Sequence, residues 1–263
     1  MRWAALLWLA PVLWLAGCAA PQDGAPAREI RTESDQTEAD RRARVRLELA
    51  SAYFGRAQFA TALDEVKQAL QFKPDLVEAF NLRGLIYASL GEPRLAEESF
   101  QRALQISPRD ADTLHNFGWY QCQQRRFDEA DKLLNQALAV PQYTGAARTT
   151  FALGLCQARQ GQWGEAEKLL SRAYELDPAN PATAYNLAEV LLRAGQFERA
   201  RFYAGRVNSV REQSNAQSLW LAARIEHAAG NLAAAQQWGQ QLRDRFPQSP
   251  QALQFERGRF DAE

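Results

Sequence analysis

The chain has little of what catalysis and metal binding draw on. Its 263 residues include two histidines, His115 and His227, and three cysteines, Cys18, Cys122 and Cys156. That is too few for a multi-histidine metal centre, and a poor start for a histidine-based triad. The patterns G-x-S-x-G, H-E-x-x-H, G-x-x-x-x-G-K-[ST] and G-x-G-x-x-G are all missing, so no nucleophile elbow, zinc-protease helix, phosphate loop or dinucleotide turn is encoded. His115 has Asp112 three residues before it, an arrangement that reads as a surface hydrogen bond rather than a catalytic dyad. Neither charge sign dominates: 31 Lys+Arg face 31 Asp+Glu, and without a basic stripe a nucleic-acid surface is excluded. The longest apolar run, residues 3–15, is interrupted by Pro11 and falls short of the ~20 residues that a membrane-spanning helix needs. These absences point to a binding protein with no enzyme activity, cofactor or metal.

What is present is periodicity. Residues 77–110 read VEAFNLRGLIYASLGEPRLAEESFQRALQISPRD. Phe80, Gly84 and Tyr87 precede a break at Gly91, and Ala96, Phe100, Ala103 and Pro108 follow it. Small and large apolar residues at helical spacing on both sides of a glycine describe two amphipathic helices, A and B, joined by a tight turn. Gly84 and Ala96 are small so that A and B can cross closely, with Tyr87 and Phe100 filling the space beside the crossing. Pro108 ends helix B, because proline lacks a backbone donor and restricts its predecessor. The pattern recurs at 34 residues, as Pro74 to Pro108 and Ala50 to Gly84 show. A 34-residue helix–turn–helix unit of this order is the tetratricopeptide repeat. Six copies begin near residues 43, 77, 111, 147, 181 and 216. The expected fold is an all-α, right-handed superhelical solenoid of about six tetratricopeptide helix pairs. Two irregular joins are expected: after repeat three, where VPQYTG adds two residues, and after repeat five, where VNSVREQSN replaces the closing proline. Arg125 stands where the A–B turn usually has glycine.

The amino-terminal residues carry an address. Residues 1–17 combine Arg2, the short apolar run and the ending Leu15-Ala16-Gly17, directly before Cys18. This matches the bacterial lipobox, in which small residues admit the lipoprotein signal peptidase and Cys18 receives the lipid. The expected organisation is a signal peptide at 1–17, a lipidated tether at 18–40, the solenoid at 41–249 and a capping tail at 250–263. Acyl chains on Cys18 would anchor the chain, each buried methylene contributing ~0.8 kcal/mol. Ala19, in place of the aspartate that retains enteric lipoproteins in the inner membrane, indicates the outer membrane, with the body facing the periplasm. In that oxidising compartment Cys122 and Cys156 form either one disulfide or two buried thiols. Both lie late in neighbouring A helices, a placement within disulfide reach.

The A helices of such an array line its concave face. The places that point there hold Leu47, Ser51 and Phe54 in repeat one, Asn81 and Leu85 in repeat two, and His115 and Trp119 in repeat three. Phe151 and Leu155 follow in repeat four and Tyr185 in repeat five. This face lacks the clustered Lys/Arg/Asn set that clamps a peptide's terminal carboxylate, so an extended or helical apolar peptide is the expected ligand. Trp119 and Phe151 either line the groove or pack between A helices.

The wording of three stretches is familiar. TESDQTEADRRARVRLELASAYF, DADTLHNFGWYQCQQRRFDEA and NLAEVLLRAGQFERARFY, behind a lipobox, resemble the type IV pilus biogenesis lipoproteins of the PilF/PilW family along essentially the whole chain after the signal. The resemblance implies a pilotin, whose partner is the pilus secretin and which brings that secretin to the outer membrane for assembly into a multimer. It also implies a Cys122–Cys156 bond, since some members carry this pair. The departure is Arg125. Other repeat lipoproteins of this build assist β-barrel assembly or activate peptidoglycan synthesis, which is the alternative reading.

Overall fold

The computed structural model describes residues 37–260. The helices within it form six consecutive pairs: α1 (Glu38–Gly55) with α2 (Phe59–Phe72), α3 (Val77–Ser89) with α4 (Pro93–Ile106), α5 (Ala111–Gln123) with α6 (Phe127–Leu138), α7 (Ala146–Arg159) with α8 (Trp163–Leu176), α9 (Pro181–Arg193) with α10 (Phe197–Asn208) and α11 (Ala216–Ala228) with α12 (Leu232–Arg245). A thirteenth helix, α13 (Pro250–Glu256), packs on α11 and α12. Each first helix touches its pair partner, the preceding second helix and the first helix of the next unit. The chain is an all-α tetratricopeptide solenoid. Among the described residues, no helix is long and apolar enough to cross a membrane. The signal peptide, Cys18 and most of the tether lie outside the described residues. Helix α1 begins at Glu38, inside the span read as tether, because Glu38 in its first turn pairs with Arg41 and Arg42 one turn on.

The pairs are held by close crossings at small residues. A Cβ on Gly84 would lie 2.6 Å from the Phe100 ring, one on Gly118 2.8 Å from Leu134 and one on Gly154 2.9 Å from Leu170. Ala62, Ala96, Ala130, Ala166 and Ala200 on the second helices are all fully buried, as are Ala69, Ala103 and Ala137 one to two turns on. Four second helices stop one residue before a proline. The cap residues between helix and proline, Lys73, Ser107, Asp177 and Phe246, all leave the helical region, with φ between −132° and −143° and positive ψ, as a following proline requires.

The other two joins, where no proline directly follows the cap residue, are closed by other means. After α6 the chain turns through Gln142, at φ 58°, and Gly145 lies under the Tyr143 ring, where a Cβ would meet the phenol oxygen at 2.4 Å. After α10 the Asn208 carboxamide takes hydrogen bonds from Ser214 and Ser218 and donates to the Ser218 carbonyl. Arg245 on α12 then donates to the carbonyls of Arg211 and Ser214. Polar side chains here satisfy backbone groups that the regular turn satisfies by itself.

The six A–B turns each place one residue in the left-handed region. Gly91, Gly161, Gly195 and Gly230 serve four of them; Ala57 (φ 57°) and Arg125 (φ 61°) serve the others. An L side chain there costs on the order of 1 kcal/mol. Arg125→Gly should therefore raise stability, by about 0.5–1 kcal/mol in urea unfolding after the glycine entropy term. Gly84→Ala, which drives a methyl into the Phe100 ring, should lower it by about 1–3 kcal/mol.

Candidate protein-binding groove

Because α1, α3, α5, α7, α9 and α11 lie side by side, their exposed faces form one continuous surface. Leu47 and Phe54 are half-buried against the core around Val66 and Ile86, Leu85 against that around Phe100 and Phe117, and Phe151, Leu155 and Tyr185 against that around Leu187 and Leu191. Each grips the core with part of its surface and leaves the rest open. Trp119 does both jobs that its position allowed: it packs on Cys122, Ala130, Leu134 and Ala152 and remains partly exposed. Ser51 is exposed, its hydroxyl bonded to the Leu47 carbonyl one turn back. Asn81 is tied across to α5, its side-chain oxygen accepting from Asn116 Nδ2 at 3.1 Å.

His115 stands apart from this set. It is 6% exposed, and its Nδ1 is hydrogen-bonded to Thr149 Oγ1 at 2.9 Å. Its ring belongs to the seam between α5 and α7 rather than to the open face. Asp112, its neighbour in sequence, does not bond to it; that carboxylate accepts from Arg148 Nη2 at 2.7 Å.

The α5–α7 seam is densely cross-linked. Cys122 and Cys156 are disulfide-bonded, with Cα atoms 5.8 Å apart. Arg159 stacks over Trp119 at 4.8 Å. Tyr143, from the two-residue insertion, brings its hydroxyl to Thr149 Oγ1 at 3.0 Å and accepts from Arg148 at 3.2 Å. Thr149 lies 34 residues after His115, as Cys156 does after Cys122. The repeat period thus encodes which residues meet, although sequence reasoning singled out only the cysteines. The role of Tyr143 had no such signal, because it lies in the insertion. At the other end of the array Arg224 on α11 donates to both oxygens of Glu189 on α9, at 3.0 and 3.2 Å.

Burial in this seam, with the Arg148 guanidinium close by, pushes His115 down from 6.5 to about 4. The sign follows from which state binds the proton. Between pH 6.5 and about 4 the unfolded chain protonates this ring and the native chain does not. Its contribution is complete above pH 6.5 and is lost as the pH falls to 4, at most about 3 kcal/mol in total. His115→Gln keeps a partner for Thr149 but removes the titration. Urea unfolding at pH 7 and 4.5 should show wild type losing about 2–3 kcal/mol more than His115→Gln over that interval. Equal losses would place the acid sensitivity elsewhere.

Comparison with known proteins gives the fold its family. Three tetratricopeptide-repeat family models match residues 75–142, 115–181 and 157–219. The type IV pilus assembly protein PilF of Pseudomonas aeruginosa is 28% identical over 253 residues, 96% of this chain and 97% of that protein. The crystal structure of PilW, a widely conserved type IV pilus biogenesis factor, superposes with a TM-score of 0.75 at 32% identity, covering 81% of this chain and 97% of PilW. The solved structure of Pseudomonas aeruginosa PilF gives a TM-score of 0.74 at 24% identity, over 84% of this chain and all of that one. YrrB, a tetratricopeptide protein with an unusual peptide-binding site, shares the fold at 18% identity, with a TM-score of 0.58 over 73% of this chain and 97% of YrrB. With the PilW match above 30% identity and nearly complete on that side, the chain belongs to the PilF/PilW-like family of tetratricopeptide-repeat proteins.

Proposed function

We propose that the protein is an outer-membrane lipoprotein that acts as a scaffold in type IV pilus biogenesis, holding a segment of the pilus secretin in its groove while the lipid on Cys18 carries the pair to the outer membrane. The observation that carries this reading is the similarity to PilF over 96% of the chain and to PilW over 81% of it. The half-buried apolar row from Leu47 to Tyr185 supports it, since such a row binds an extended or helical apolar segment and leaves specificity to polar groups beside it. The lipobox ending at Cys18 supports the membrane address. In this mechanism the protein makes and breaks no covalent bond. It binds a monomeric secretin segment and raises its local concentration at the membrane, and the multimer then forms by mass action.

Deleting the gene and fractionating membranes tests this. Detergent-resistant secretin multimers should vanish from the outer membrane or stall in the inner one. Wild-type protein should restore them and Cys18→Ser should not. Normal multimers without the protein would overturn the reading. In pull-downs from detergent extracts, Trp119→Ala and Phe54→Arg should each capture less secretin while keeping wild-type helical content.

A further inference from the structure

A cavity of about 630 Å³ opens where α5 and α7 end, lined by Cys122, Gln123, Arg125, Phe127 and Arg159. Its charge is one-sided. No acidic residue lines it, and neither Arg125 nor Arg159 enters an ion pair among the described residues; Arg159 spends its face on Trp119. Arg126, next in sequence, is committed to Glu97 and Glu129. The equivalent edge two repeats along is balanced: its cavity, at residues 195–199 and 229–231, contains Arg199, paired with Glu167, and Glu198, paired with Arg201. A third cavity mixes Arg211 and Arg245 with Glu212 and Asp244. The two guanidiniums at the α5–α7 edge more than cancel the half negative charge that each helix end carries, which leaves a net positive pocket beside an apolar groove.

Backbone conformation adds a second observation at Arg125, shared in the first turn by Ala57. Arg125 occupies the left-handed slot that four of the six turns give to glycine, so the array carries a cationic side chain here at a cost in stability. Strained backbone positions cluster at ligand clamps and other functional sites, and this one, unlike Ala57, carries a charge into a cavity.

We propose that Arg125 and Arg159 form a clamp for a carboxylate side chain, an aspartate or glutamate on the segment that occupies the groove. The guanidinium forks suit a carboxylate, and charge-assisted hydrogen bonds are about twice as strong as neutral ones. A side chain is the source rather than a chain terminus. The groove runs across the first helices, and this cavity lies at its rim, where those helices end. A segment following the groove passes the rim with its side chains. The clamp joins repeat three to repeat four, so it also fixes the register of the bound segment. This inference rests on the groove reading and deepens it by naming the partner's chemistry.

The test uses full-length protein in detergent micelles and two pools of acetylated, amidated octapeptides, randomised among apolar residues. One pool has a fixed central aspartate and the other an asparagine. Fluorescence anisotropy then compares twin peptides from the two pools. Wild type should bind aspartate members about tenfold tighter than their asparagine twins at low salt, a gap that shrinks as salt screens it. Arg125→Gly, which also relaxes the turn and keeps the fold, should close most of the gap. Arg125→Gly combined with Arg159→Gln should abolish it. Equal binding of both pools by wild type, or a gap that survives the double variant, overturns the clamp and leaves the groove standing. Failure of both pools to bind overturns the clamp and the groove reading together.

Discussion

The contact of a bare glycine backbone with a large side chain on the opposing helix sets the geometry of everything else. At Gly84 against Phe100, Gly118 against Leu134 and Gly154 against Leu170, no room exists for even a methyl group. Approach that close fixes the angle and separation within a pair, and the buried alanines of each second helix, such as Ala103 and Ala173, let the next first helix settle beside it. Repetition of close crossings, with buried alanine in the glycine's place at Ala50 and Ala188, brings the first helices into a row on one side. The groove is thus a by-product of packing. Its floor residues are half-buried because the same side chains serve the core beneath and the surface above.

A solenoid is only as cooperative as its weakest interface between neighbours. The join between α6 and α7 is two residues longer than the period allows, with Pro141 set one place further from the cap than at the regular joins, and the α5–α7 seam beside it carries a disulfide, a stacked arginine and several hydrogen bonds. The Cys122–Cys156 disulfide closes a 34-residue separation and removes chain entropy from the unfolded state, an effect of ~2–4 kcal/mol. The Asp112–Arg148 pair is exposed and adds little by itself. The buried His115–Thr149 contact matters more, because a polar ring taken out of water without a partner is costly. Together these ties hold repeats three and four in the register that the binding surface requires.

Much of this was legible in the sequence, and the limits have physical causes. The 34-residue period, the small residues at crossings and the prolines after the second helices are local rules, and they located the pairs and both irregular joins. That Cys122 and Cys156 lie within disulfide reach followed from their places late in neighbouring first helices; that they are bonded was implied only by the resemblance, and the structure shows the bond. His115 was read as a groove residue because place-counting along a helix ignores depth; Tyr143, from an insertion outside the period, bonds the same Thr149 hydroxyl that holds the ring. Ala57 in a left-handed turn carried no warning, since alanine elsewhere in the chain is a helix former. The pocket of Arg125 and Arg159 was missed because the two belong to different repeats; Arg125 stood out only as a departure at its turn, with nothing in the sequence to join it to Arg159. The sequence reading found no clustered cationic set in the groove, and the fold makes a small one at its rim.

The groove, as the surface that holds the secretin, is the central claim, and site-specific photocrosslinking in living cells tests it most directly. A photoreactive residue placed at Phe151 or Leu155 reports on the groove. One placed at Phe202, a 58% exposed residue of the second helix α10, reports on the opposite layer. The account predicts secretin adducts from Phe151 and Leu155 and none from Phe202. Adducts from Phe202 alone would contradict it.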